Sequence, residues 1–238
     1  MSEAREKPFC FKQFEVLQTR CAMKIGTDAV LLGAWVSLSK HEFILDVGTG
    51  SGVIALICAQ RNPVATIHGI DIHEDSILDA QHNFERSPWS NRLHAHRGDF
   101  LKMRSAQHFD LIVSNPPFFS QSLHGADPDR NVARHDDLLP ADAFVSQAAQ
   151  LLSAEGELAL IIPHSELERW LSVASLNGFL LSRLCYVCST PDKAPNRILI
   201  QWSRIPATCV EERLVIRQSS GDFSEEYKSL TRALYLKF

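Results

Sequence analysis

The sequence predicts an α/β fold, an open and mostly parallel sheet with helices on both faces, and three observations predict it. The apolar run Phe43-Ile44-Leu45 leads into the turn Asp46-Val47-Gly48-Thr49-Gly50-Ser51-Gly52 and then into the helical stretch Val53 to Ala59. Strand, glycine turn and helix in that order start a nucleotide-binding unit, because glycines allow tight turning and close approach of a ligand to the backbone. Short apolar runs then alternate with helix-patterned segments as far as Gly178, the alternation of a parallel sheet. Finally, Leu180 to Cys188 and Ile198 to Trp202 flank a helix-free link, Ser189 to Asn196, which suits an antiparallel hairpin rather than a parallel crossover.

A chain of 238 residues, 45% hydrophobic and 22% charged, has the makings of one sizeable core. We divide it into a flap and first helix (1–40), a core (41–205) and a C-terminal extension (206–238). The net charge of −4 excludes a general nucleic-acid coat protein, so any nucleic-acid contact rests on local patches. The charged start has no apolar signal core, and no apolar run approaches the roughly 18 residues that span a bilayer. A cytoplasmic protein without a membrane partner is expected, and a monomer is expected.

In order, residues 1–26 interleave Lys7, Phe9, Phe11, Lys12, Phe14, Arg20 and Lys24. The rings read as a flap packed on the core; the cations are open to RNA phosphate. Thr27 is expected to cap a helix that Asp28 complements and Ala29 to Trp35 make apolar. Thr66 to Asp71 is a second strand, with Asp71 at its carboxyl end, 19 residues beyond Gly52. That offset suits an acidic residue accepting ribose hydroxyls. Glu74 to Glu85 reads as a helix closed by Pro88, and Arg92 to Arg97 as a short strand leading to Asp99 and Phe100. Phe109 to Ser114 is a buried strand, followed by Asn115-Pro116-Pro117-Phe118 where such sheets place ligands. The Asn115 side-chain oxygen and the Pro116 carbonyl can both accept from one NH2 group, and Phe118 can stack on the ring bearing it. The polar stretch from Phe119 to Pro140 carries Arg130 and Arg134; a loop of this length is usually functional or disordered. Helices follow at Asp142 to Leu152 and Ser165 to Leu176 around a strand, Glu157 to Pro163. The tail reads as a strand and then a helix from Ser224, with Leu230, Ala233 and Leu234 inward.

Six cysteines are expected as reduced thiols. Cys185 and Cys188 stand three apart on a strand, so their sulfurs diverge and no metal site is expected there. His94 and His96, sharing a strand face, read as solvated surface.

A dinucleotide fingerprint counted from Gly48 would place its third glycine at position 53, whereas here it comes at Gly52. The pattern D-x-G-x-G-x-G instead resembles the glycine turn of class I S-adenosylmethionine-dependent methyltransferases, Rossmann-like enzymes with seven strands, an antiparallel last strand and about six helices. Asn115-Pro116-Pro117-Phe118 resembles the [DNS]-P-P-[YFW] motif of their members that methylate planar amines: adenine N6, cytosine N4, guanine N2 or glutamine. Nearly end to end, Phe11-Lys12-Gln13-Phe14, Arg20 to Asp28, Leu31 to Trp35, Ser87-Pro88-Trp89, Ser224 to Tyr227 and Tyr235-Leu236 are similar to the bacterial tRNA(Val) adenine-N6 methyltransferases, which modify the purine 3′ of the anticodon.

That resemblance implies S-adenosyl-L-methionine as cofactor and tRNA as partner, with no metal. It implies Asn115, Pro116, Pro117 and Phe118 as the catalytic group. Lys24, Gly26, Thr27, Asp46, Gly48, Gly50, Gly52, Asp71, Ile72, Asp99, Phe100 and Asn115 are implied as cofactor residues. Lys12, Arg20, Arg130, Arg134, Arg197 and Arg217 are RNA candidates from charge and position. That family typically reads N-P-P-Y; Phe118 is the form common in ribosomal-RNA guanine-N2 methyltransferases, so the base identity rests on the flanking segments. A protein-glutamine methyltransferase and a catalytically idle cofactor- or RNA-binding partner are the further alternatives.

Overall fold

The computed structural model describes residues 7–21, 24–116 and 140–237. Its elements are β1 (Phe9–Cys10), β2 (Glu15–Val16), α1 (Thr27–Trp35), β3 (Phe43–Val47), α2 (Val53–Arg61), β4 (Thr66–Asp71), α3 (Glu74–Arg86), β5 (Leu93–Arg97), β6 (Phe109–Ser114), α4 (Ala141–Leu151), β7 (Leu152–Pro163), α5 (Leu167–Leu176), β8 (Leu180–Cys188), β9 (Arg197–Ser203), β10 (Val210–Val215) and α6 (Glu225–Thr231).

One sheet of eight strands carries the molecule, in the order β10-β8-β9-β7-β6-β3-β4-β5. All neighbours are parallel except β9, which is antiparallel to both β7 and β8. From β3 the chain winds outward through β4 to β5, then returns to place β6 on the other side of β3. The strand order therefore reverses between β3 and β6, and a crevice opens at their carboxyl ends.

Strand residues alternate between two faces, and each face is buried. Ile44, Val113, Ile161 and Leu199 pack with α1 and α2 in one cluster. Leu45, Ile112, Leu160 and Ile200 pack on the other face with Phe144 of α4 and Trp170 of α5. α1 is buried from Ala29 to Trp35, which explains why it is apolar on every side. It crosses α2 closely: a Cβ on Gly33 would stand 3.0 Å from Ile57.

Three expectations are corrected. The sheet has eight strands rather than seven, because β10 pairs in parallel with β8 beyond the hairpin. β10 reads as an edge strand in hindsight: Glu211 and Arg213 are exposed, charges of the kind that blunt a sheet edge. Thr27 does not cap α1. Gly26 holds the extended cap position, no side chain bonds the helix end, and Thr27 is the first helical residue. The tail helix stops at Thr231, so Leu234 is buried but Ala233 is exposed.

The flap expected from the leading rings is present. Phe11 stacks on Phe14 at 4.5 Å and on Tyr235 at 5.9 Å, and Phe14 meets Trp89 edge-on at 5.7 Å. The Lys12 amide donates to the Leu234 carbonyl at 2.8 Å. Lead and tail thus form one aromatic seam beside the end of α2, where Gln60 Nε2 donates to the Ala233 carbonyl at 2.8 Å. Among the described residues, no helix is long and apolar enough to cross a membrane.

Candidate active site

The glycine turn sits at the switch point. Gly48, Gly50 and Gly52 all have positive φ (68°, 54° and 84°), a region that residues with a Cβ rarely adopt. At Gly52 the demand is also steric, since a Cβ would lie 2.4 Å from Phe84 of α3. At Gly48 a Cβ would meet nothing within 4 Å, so the backbone there faces open space. The turn is held to β4 by Gly48 N–H and Thr49 N–H, which donate to the Ile70 carbonyl at 2.8 and 3.1 Å.

Asp46, next to last in β3, is fully buried beneath this turn. Its Oδ2 accepts from Thr49 Oγ1 at 2.7 Å and from Ala55 N–H at 3.2 Å. Its Oδ1 is buried with no hydrogen-bond partner. Burial pushes the carboxyl up to about 7, against the lowering effect of the Thr49 and Ala55 bonds and with a smaller upward push from Asp71.

Asp71, ending β4, aims its carboxylate by two amides: Oδ2 accepts from Gly50 N–H at 3.0 Å and Oδ1 from His73 N–H at 2.9 Å. Each oxygen keeps a lone pair for a hydroxyl. Ile72 beside it is 57% exposed, an apolar side chain just past the strand end. Asp99 caps the turn after β5, accepting from Leu101 N–H at 3.0 Å and pairing with Lys102 at 3.0 Å. Phe100 is buried against Phe144, ring centroids 4.9 Å apart.

Asn115 follows β6 half-buried, and Pro116 is buried. Ser114 Oγ donates to the Val47 carbonyl at 2.7 Å, bolting the end of β6 to the end of β3 across the switch point. Pro117, Phe118, Arg130 and Arg134 lie outside the described residues.

The lead segment reaches the same end of the sheet. A Cβ on Gly50 would stand 3.6 Å from Cys21 Sγ, so the lead touches the glycine turn. Lys24 Nζ donates to the Gln18 carbonyl at 2.5 Å, and Gly26 and Thr27 follow into α1. Asp28 in the first turn of α1 holds Arg197 Nε at 2.7 Å.

The RNA candidates separate. Arg197 and Arg217 stand at the site's end of the sheet, Arg217 lying 4.1 Å over the Phe223 ring and donating to the Gly221 carbonyl at 2.6 Å. Arg20 lies on the lead, 3.6 Å from Asp79. Lys12 is not brought to the site. Its ammonium donates to the Arg232 carbonyl at 2.5 Å, in the seam beside the far end of α2.

His94 and His96 gain a third imidazole, His68 of β4, with His68 Nδ1 and His96 Nε2 2.9 Å apart. Burial, then His96, then His94, lower the His68 pKa to about 4, and burial lowers that of His96. No group of three or more metal-binding side chains occurs among the described residues.

Sequence reasoning missed Ser114, Thr49, Gln18, Asp79 and Asn83. The signal for the α3 pair was available: polar residues at 76, 79 and 83 share the face of α3 that Ile77, Ala80 and Phe84 make inward.

A ligand with a cationic end, a ribose and a planar base fits these residues. They offer an uncompensated carboxylate oxygen under the turn, open backbone at Gly48, an aimed carboxylate at Asp71 and exposed Ile72. Fold and site are those of a class I methyltransferase, and residues 21–172 match the methyltransferase small domain. A predicted O-methyltransferase from Agrobacterium tumefaciens shares the fold at TM-score 0.69 and 17% identity, over 87% of this chain and 96% of that one. The ribosomal protein L11 methylase of Lactobacillus delbrueckii subsp. bulgaricus does so at TM-score 0.53 and 19% identity, over 75% and 77%. Closer in sequence is the Pseudoalteromonas translucida protein named tRNA1(Val) (adenine(37)-N6)-methyltransferase, 40% identical over 96% of this chain and 98% of the relative. The protein of that name from Bacteroides thetaiotaomicron is 42% identical over 96% and 97%. The chain belongs to this tRNA1(Val) (adenine(37)-N6)-methyltransferase family.

Proposed function

We propose that the protein transfers a methyl group from S-adenosylmethionine to the exocyclic N6 amine of an adenine in tRNA, the purine 3′ of the anticodon in tRNA(Val), and acts in the cytoplasm as a monomer. The observation that carries the reading is Asn115-Pro116 beside the glycine turn at the switch point, in a chain similar end to end to enzymes of that name.

S-adenosylmethionine supplies a methyl group activated by a sulfonium. Asp46 and the glycine turn would hold its charged end, Asp71 its ribose, and Ile72 and Asp99 its base. The amine of adenine is a weak nucleophile because its lone pair is delocalised into the ring. Acceptors at the Asn115 side-chain oxygen and the Pro116 carbonyl engage both of its protons and favour a pyramidal nitrogen with the lone pair free. Phe118, by its place in the motif, stacks on the base. Bound S-adenosylmethionine would supply its methyl group to this nitrogen, while Asn115 and Pro116 would hold the amine's two protons until one is released to water. Positioning is the main catalytic contribution, and well-oriented partners reach effective molarities of roughly 10⁵ M or more. A base in an unpaired loop is cheap to splay into such a site.

The test is methyl transfer from labelled S-adenosylmethionine to tRNA lacking its native modifications, with nucleoside analysis. Label is expected in N6-methyladenosine, and Asn115→Ala is expected to cost about a hundredfold or more in kcat, as loss of an orienting group does. Label in guanosine would favour the guanine-N2 reading that Phe118 keeps open.

A further inference from the structure

We infer that Gln18, Asp79 and Asn83 are positioning residues of the cofactor site, clasping residues 17–21, 24 and 25 against the glycine turn so that they form one wall of the site. The inference rests on the S-adenosylmethionine reading above and adds residues that none of the motifs contains.

α3 carries polar groups on the side it buries. Ser76, Asp79 and Asn83 are 5%, 0% and 2% exposed. Burying such groups is costly unless each is paired, and here the pairing is with the backbone of one segment. Asp79 Oδ2 accepts from Arg20 N–H and Cys21 N–H, both at 2.9 Å, and Oδ1 accepts from Thr19 Oγ1 at 3.3 Å. Asn83 grips Leu17 in both directions: Leu17 N–H donates to Oδ1 at 2.8 Å, and Nδ2 donates to the Leu17 carbonyl at 2.8 Å. The same Nδ2 donates at 2.8 Å to the carbonyl of Ser51, inside the glycine turn. Gln18 closes the far end, its Oε1 accepting from Ile25 N–H at 2.7 Å and its carbonyl from Lys24 Nζ at 2.5 Å. Apolar packing would suffice to cover α3. Paired donors and acceptors set the register of the segment as well.

The clasped segment meets the site at Gly50. Cys21 Sγ lies against it, and Gly50 N–H is one of the two amides that aim Asp71. Ser76 Oγ steadies the same sulfur at 3.7 Å. A displacement of Cys21 is therefore passed to the Asp71 carboxylate, while release of Ser51 loosens the turn itself. These residues act through backbone that the cofactor would touch, without touching it themselves.

The experiment combines calorimetric titration of the full chain with S-adenosylhomocysteine and hydrogen exchange of the ligand-free protein. Gln18→Ala, at a partly exposed position, is expected to weaken binding about tenfold or more and speed exchange at residues 17–21, 24 and 25. Gln18→Glu keeps the acceptor for Ile25 and is expected to restore affinity to within about threefold of wild type. Asp79→Asn, where it folds, is expected to follow Gln18→Ala. Faster exchange in Gln18→Ala with unchanged affinity would reduce the clasp to a structural strut and overturn the inference, as would no change in either readout. Absence of binding by the wild type would instead overturn the cofactor reading on which the inference stands.

Discussion

Two residues, Asp46 fully buried and His68 half-buried, give the folded chain opposing responses to pH. Asp46, facing Thr49, the Ala55 amide and Asp71, has its folded pKa raised from 3.8 to about 7, chiefly by burial. Between those values the native state holds a proton that the unfolded chain has lost, so stability falls as pH rises, by up to about 1.4 kcal/mol per unit. His68, facing His94, His96 and Phe109, has its pKa lowered from 6.5 to about 4. Between pH 4 and 6.5 the unfolded chain holds the extra proton, so this residue makes stability rise with pH. Urea melts at stepped pH should therefore separate them. Asp46→Asn should leave a profile rising from pH 4 to 6.5, and His68→Gln one falling from pH 4 to 7. Superimposable profiles for Asp46→Asn and wild type would show that burial does not perturb Asp46. The carboxylate that costs stability at neutral pH is the one placed to favour a cationic ligand, so Asp46→Asn should also weaken cofactor binding.

At the scale of elements, most of the parallel core was legible because its signals are local. The glycine turn, the strand-end position of Asp71, and the strand before Asn115 each follow from a few adjacent residues. What was not legible depends on partners distant in sequence. Nothing local says that Phe100 meets Phe144, that Asp79 meets the backbone of Cys21, or that β10 pairs in parallel with β8. Thr27 has the chemistry of a cap, yet the chain turns one residue earlier, at Gly26. The lead and tail illustrate the same limit. Their rings are visible in the sequence, but their union is not, and Phe11 is its centre, 3% exposed and stacked on both Phe14 and Tyr235. Phe11→Ala should cost about 3–5 kcal/mol, the range for deleting a buried ring. Denaturant melts would measure it, and exchange at the Lys12–Leu234 bond should rise with it. A loss below about 1 kcal/mol would mean that the seam is dispensable to the core.

At the scale of the whole molecule, the site is a line across the carboxyl ends of the strands. The glycine turn and Asp71 stand at β3 and β4, Asn115 at β6, and Arg197 at β9, opposite Pro163 of β7. Two strand spacings separate β6 from β9, about 10 Å. The alternation of the strands gives Arg197 the side of the sheet that α1 covers, and its guanidinium is held there by Asp28. With a net charge of −4, the protein has no general attraction for RNA, so RNA contact rests on local cations, of which we propose Arg197 as one. Arg197→Ala should therefore raise KM for tRNA about tenfold, leave affinity for S-adenosylhomocysteine unchanged, and reduce the salt dependence of tRNA binding by about one phosphate contact. Lys12→Ala, in the seam at the far end of α2, should leave that salt dependence unaltered. If Arg197→Ala instead lowers thermal stability with an intact salt slope, the Asp28–Arg197 pair is a strut between α1 and β9, and the RNA path leaves the site elsewhere.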